Sequence, residues 1–156
     1  MPNLKWSQLS GMQLGRYAEY YAKMEFTSYG YDVYTSEVDD HGVDFIAKYN
    51  GKFYEVQVKS VRQDGYLYIP KKKVTVSDNF LICYMRFTDD KLPDVFVFPA
   101  TVWNYPNALF VDRPYDKPKQ KSDPEFGINY NKKNAPLLEK YRAELFFEAS
   151  KGGRSA

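Results

Sequence analysis

Asp44, Glu55, Gln57 and Lys59 lie on two alternating runs separated by Asn50-Gly51. Asn-Gly between alternating runs favours a two-residue type I′ turn. With those residues as the turn, Tyr49 faces Lys52, Phe45 faces Val56, Asp44 faces Gln57 and Val43 faces Val58. Lys59 returns to the face of Gln57 about 6.6–6.8 Å farther along the strand. One face then carries Val43, Phe45, Ala47, Tyr54, Val56 and Val58; the other gathers Asp44, Glu55, Gln57 and Lys59 beside Gly42. A carboxylate, an amide oxygen and an ammonium group on one patch of sheet suit a hard divalent cation with a charge-stabilising or proton-transfer group at its side. An ordinary half-exposed hairpin fits the same pattern, because its outward residues are polar and an Asp–Lys pair there stabilises weakly. Ile46 shares the polar face, which argues that this face is covered rather than open to water.

Other elements must hold that hairpin. Ser10 and Gln13 have capping-box spacing, so a helix is expected over residues 10–29 with Gly30 closing it. Leu14, Tyr17, Ala18, Tyr21 and Ala22 form its apolar stripe, and Glu19 lies at the edge, within reach of a neighbouring sheet or simply solvated. Residues 31–36 read as an opening strand, and a polar turn with the sole histidine, His41, follows. That histidine is either a surface loop residue or a general base. Past the hairpin, residues 62–65 read as a turn, 66–69 as a short strand, and 80–87 and 94–98 as further strands. Residues 104–134, rich in proline and lysine, are expected to be irregular, and a single helix is expected over 135–148.

Asp44, the hairpin, and then Gln57-Val58-Lys59, with Glu19 on a preceding helix, resemble the PD-(D/E)xK nuclease superfamily over roughly the first sixty residues. That superfamily includes restriction endonucleases, archaeal Holliday-junction resolvases and intron homing endonucleases. The resemblance implies an α/β fold with a restriction-endonuclease-like core, a central mixed sheet flanked by helices. It also implies a DNA endonuclease that hydrolyses phosphodiester bonds with Mg²⁺, or Mn²⁺ in its place. Asp44, Gln57, Glu19 and the backbone carbonyl of Val58 would be the metal ligands, with Lys59 as the catalytic lysine. Val43 replaces the motif's proline, and Gln57 stands where Asp or Glu is usual. A neutral amide oxygen binds Mg²⁺ more weakly than a carboxylate. The alternative is therefore a non-catalytic nucleic-acid-binding or partner module that keeps a degenerate nuclease fold.

Composition sets outer bounds. At 156 residues the chain suits one domain, expected over residues 1–150 with a disordered tail at 151–156. The net charge of +2 does not by itself announce nucleic acid, but residues 1–60 carry 6 basic and 8 acidic side chains against 16 and 12 in the remainder. A basic half beside an acidic one suits phosphate-backbone contact, with Arg62, Lys71, Lys72 and Lys73 as candidate DNA contacts; solvated surface lysines are the plainer reading. One cysteine, Cys83 in an apolar run, allows no internal disulfide and suits a core thiol in the cytoplasm. No apolar stretch approaches membrane-spanning length. Cutting both strands of a duplex takes two sites, so a homodimer accompanies the resemblance.

Overall fold

The computed structural model describes residues 1–35 and 42–152. His41, the end of the opening strand at Ser36 and residues 153–156 lie outside them. The chain runs through α1 (Gly11–Ser28), β1 (Asp32–Thr35), β2 (Phe45–Tyr49), β3 (Lys52–Val61), β4 (Gly65–Pro70), β5 (Phe80–Arg86) and β6 (Asp94–Pro99). It continues through β7 (Phe110–Arg113), β8 (Glu125–Tyr130), α2 (Ala135–Leu138) and α3 (Ala143–Gly152).

Five strands form a mixed sheet in the order β1-β2-β3-β5-β6, in which only β3 and β5 are parallel. The hairpin turns where Asn-Gly places it: Asn50 and Gly51 both take positive φ, 52° and 79°, and Tyr49 pairs with Lys52. Both central residues of a type I′ turn need that conformation, which Asn and Gly adopt at little cost. A second sheet, β4-β8-β7, is antiparallel throughout.

Each face of the large sheet closes a separate core. On the first face α1 buries Leu14, Ala18, Ala22 and Phe26, with Tyr17 and Tyr21 packed at the side of that stripe. The Phe26 ring lies 5.4 Å from Phe45 of β2 and 5.0 Å from Phe147 of α3, edge to face in both cases. The helix begins at the expected capping box, with Ser10 Oγ accepting from Gln13 N–H at 3.1 Å and Gln13 Oε1 accepting from Ser10 N–H at 2.9 Å. On the other face Ile46, Ile82, Tyr84 and Phe98 meet Ile69, Phe110, Phe126 and Ile128 of the second sheet, with Leu138 of α2 joining them. Cys83 is fully buried in the first core, and that burial holds its thiol well above its ordinary pKa, as suits a packed residue.

Two expectations for the second half need correction. Residues 104–134 contain β7 and β8, which pair so that Phe110 faces Ile128. The expected single C-terminal helix is three pieces: α2, a 3₁₀ turn over Glu139–Tyr141, and α3. Arg142 breaks it with extended dihedrals, φ −53° and ψ 139°, and bridges to Phe96 of β6. Its guanidinium reaches Glu139 at 2.7 Å and Asp94 at 3.3 Å. α3 then runs to Gly152.

Phe26→Ala should remove the contact that joins α1, β2 and α3. A loss of about 3–5 kcal/mol in urea unfolding is expected for a fully buried phenylalanine; a change below about 1 kcal/mol would mean that the three elements are held by something else.

Candidate functional site

The site forms where β2 stops pairing with β3. Strand pairing holds from Tyr49↔Lys52 to Phe45↔Val56. There the Asp44 N–H also turns to the Val56 carbonyl, at 2.8 Å, so two consecutive residues face Val56. That is a β-bulge, and it turns Val43 to the opposite face. The extension that sets Asp44 opposite Gln57 and Val43 opposite Val58 therefore fails. Val43 lies in the second core with Ile82, not with Phe45 in the first.

The bulge gives Asp44 a different task. Glu55 N–H donates to Asn79 on the β5 side, so odd residues of β3 turn their backbone groups that way and even residues turn towards β2. With β2 ended, the Val58 N–H meets no strand and instead donates to Asp44 Oδ2 at 2.7 Å. The carboxylate thus lies at the strand edge, in the plane of the backbone hydrogen bonds. Val58's carbonyl opens on the same side.

Gln57 is 3% exposed and pairs with Ile82, so its amide faces the second sheet. Nε2 donates to the Lys73 carbonyl over a long 3.4 Å, while Oε1 is buried and has no partner among the described residues. A buried amide oxygen without a partner costs about 1–3 kcal/mol. Lys59 pairs with Tyr84 on the same face, half-buried. Glu55, which shares that alternation, is exposed. Gly42 closes the arrangement with φ +76°: a Cβ there would stand 2.4 Å from Gln57 Nε2 and 2.6 Å from the Lys73 oxygen. Only glycine has room at that point.

Glu19 occupies the other layer. Tyr21 and Glu25, on one edge of α1, line a cleft with Pro93, Asp94 and Val95, so Glu19 and Lys23 on the opposite edge look towards β1–β3. Glu19 pairs with Lys23 at 3.3 Å and keeps 32% of its side-chain surface exposed. Asp44, Val58 and Gln57 are thus brought together at one strand end, and Glu19 is held apart from Gln57 by the thickness of the sheet. Among the described residues no three His, Cys, Asp or Glu side chains cluster as a metal site. Any cation here rests on mixed donors: a carboxylate, an amide oxygen and a peptide carbonyl. That set is hard and oxygen-only, which suits Mg²⁺ or Mn²⁺ and excludes a thiolate-type metal. The unpartnered Gln57 Oε1 is the atom such a cation would satisfy.

The basic residues divide. Arg62 donates to the carbonyls of Trp6 and Leu9 at 2.8 and 2.6 Å, fastening the segment before α1. Lys71 pairs with Asp112 at 2.5 Å and sits 4.8 Å from the centre of the Phe126 ring. Lys72 is 69% exposed and 3.9 Å from Asp123. Sequence reading missed the structural employment of Arg62 and Lys71, since neither has a local partner to signal it.

No family model matches the chain, and the curated proteins contain no match. Among solved structures, the chain is similar to Hjc, a Holliday junction resolvase from the archaeal hyperthermophile Archaeoglobus fulgidus. Identity is 13% and the TM-score 0.51, over 79% of this chain and 88% of that one. It is also similar to a bacterial homing endonuclease, at 19% identity and TM-score 0.55, over 92% of this chain and 96% of the other. At such identities the likeness is one of fold. The chain has the restriction-endonuclease-like α/β fold that the motif's resemblance implied.

Because the Asp44 carboxylate caps the Val58 N–H, Asp44→Ala should cost about 1.5–3 kcal/mol of unfolding free energy. Asp44→Asn, which keeps an acceptor oxygen, should cost under half of that. Equal losses for the two variants in chemical denaturation would show that the hydrogen bond carries no stability.

Proposed function

We propose that the chain is a Mg²⁺-dependent endonuclease that hydrolyses phosphodiester bonds in DNA. What carries the reading is the pairing of a pinned Asp44 carboxylate with the buried, unpartnered Oε1 of Gln57, on a fold shared with a resolvase and a homing endonuclease. Asp44, Gln57 and the Val58 carbonyl would hold the cation, with Glu19 joining by leaving Lys23. When bound, the ion supplies charge for the scissile phosphate and acidifies a coordinated water.

The chain's own groups do the rest. Val58 N–H fixes one carboxylate oxygen of Asp44 at 2.7 Å and so sets the direction of the carboxylate. Gln57 offers a donor with no charge, so Asp44 supplies the main negative charge and an incoming phosphate meets less repulsion than at a two-carboxylate site. Lys59 follows Gln57 on the same face and would stabilise charge developing on the phosphate, or take a proton from the attacking water. Exposed Lys72 would contact the phosphate backbone beside the site. A homodimer would supply the second centre that a double-strand cut requires, and the buried Cys83 suits a cytoplasmic setting. No helix among the described residues is long and apolar enough to cross a membrane.

A second reading, a nucleic-acid-binding module without catalysis, is favoured by one observation: the neutral Gln57 stands where a second carboxylate would strengthen the cation site. The two separate experimentally. Wild type should nick supercoiled and branched DNA with Mg²⁺ or Mn²⁺. Asp44→Asn, folded by circular dichroism, should fall to the level of a protein-free control. Wild type that binds DNA but cuts none of these substrates with either cation would leave the binding module as the function.

A further inference from the structure

Gln57 takes its direction from outside its own hairpin. The Lys71–Lys73 turn that receives its amide nitrogen follows β4 of the second sheet and leads into β5 of the large one. That turn is fastened at several points. Lys71 N–H donates to the Pro124 carbonyl at 3.0 Å, Val74 N–H closes the turn on the Lys71 carbonyl at 3.1 Å, and Lys71 Nζ pairs with Asp112 of β7 at 2.5 Å. The ammonium of Lys71 also lies over the ring of Phe126 of β8, 4.8 Å from its centre. Gly42 lies close on another side: a Cβ there would stand 2.4 Å from Gln57 Nε2 and 2.6 Å from the Lys73 oxygen.

We infer that Lys71 is a positioning residue for the proposed cation site: it fixes the turn whose Lys73 carbonyl holds Gln57 Nε2, and so presents Oε1 to the cation. The inference rests on the proposed function for the identity of what Oε1 meets. It also accounts for the residue type at position 57. A carbonyl acceptor at Lys73 requires a donor opposite it, and of the side chains of that length only an amide offers both a donor for the turn and an oxygen for a cation. A carboxylate there would set two acceptors against each other.

The test uses charge to separate positioning from simple electrostatics. Lys71→Met removes a cation near the site, which by Coulomb's law alone should tighten binding of a divalent ion. Positioning demands the opposite: Mn²⁺ affinity, measured by calorimetry on the full chain, should weaken by roughly 10-fold, the scale seen when outer partners of metal ligands are lost. Lys71→Arg, which keeps the ion pair with Asp112, should restore it. In a Gln57→Leu background Lys71→Met should change Mn²⁺ affinity less than twofold, because nothing remains to aim. In parallel, NMR exchange of the Gln57 side-chain amide protons should speed up in Lys71→Met and not in Lys71→Arg. Tighter or unchanged Mn²⁺ binding by Lys71→Met, or unaltered amide exchange, overturns the inference. If wild type binds no Mn²⁺ at all, the metal-site reading fails, and the anchoring of Gln57 then stands or falls on the amide exchange alone.

Discussion

Everything at the site follows from the premature end of strand pairing at Asp44. A strand edge inside a protein leaves backbone donors and acceptors that must be satisfied. Here Val58 loses its strand partner, and Asp44 takes over the N–H with a carboxylate oxygen. The same event turns Val43 into the second core and draws Gly42 against Gln57. A regular hairpin would have put Asp44 on the face of Ile46 and Gln57, which the second sheet covers. The bulge instead ties a charge to the backbone at the strand end.

The strand end is held in place because the large sheet is buried on both faces. α1 and α3 cover one side through the Phe26, Phe45 and Phe147 rings, and the small sheet covers the other through Ile69, Phe110 and Ile128. Only the second cover touches a site residue directly: the turn that follows β4 presents the Lys73 carbonyl to Gln57, whereas Glu19 on α1 stays paired with Lys23 in the other layer.

Local signals were legible in the sequence where local chemistry decides. Asn50-Gly51 gave the turn and the register out to Phe45, and Ser10 with Gln13 gave the start of α1. Ile46 on the polar face correctly indicated a covered surface. The bulge was not legible, because period-two alternation carries no mark of where a residue is doubled. β7 was hidden by its four-residue length and its proline-rich surroundings, and the C-terminal helix looked continuous because Arg142 has good helix propensity. Its departure is decided by Asp94 and Phe96, some 48 residues away in sequence for Asp94. Lys71 and Arg62 read as free cations for the same reason: their partners are tertiary.

The central claim is that Asp44 and Gln57 present their oxygen atoms to one divalent cation. Anomalous diffraction from crystals soaked in Mn²⁺ tests it most directly. The account predicts one strong peak at the end of β2, within about 2.0–2.3 Å of an Asp44 carboxylate oxygen and of Gln57 Oε1, in the range of Mg²⁺-like coordination. A fully soaked crystal with no peak there, or with a cation bound to Asp44 while Gln57 Oε1 points away from it, would contradict the account.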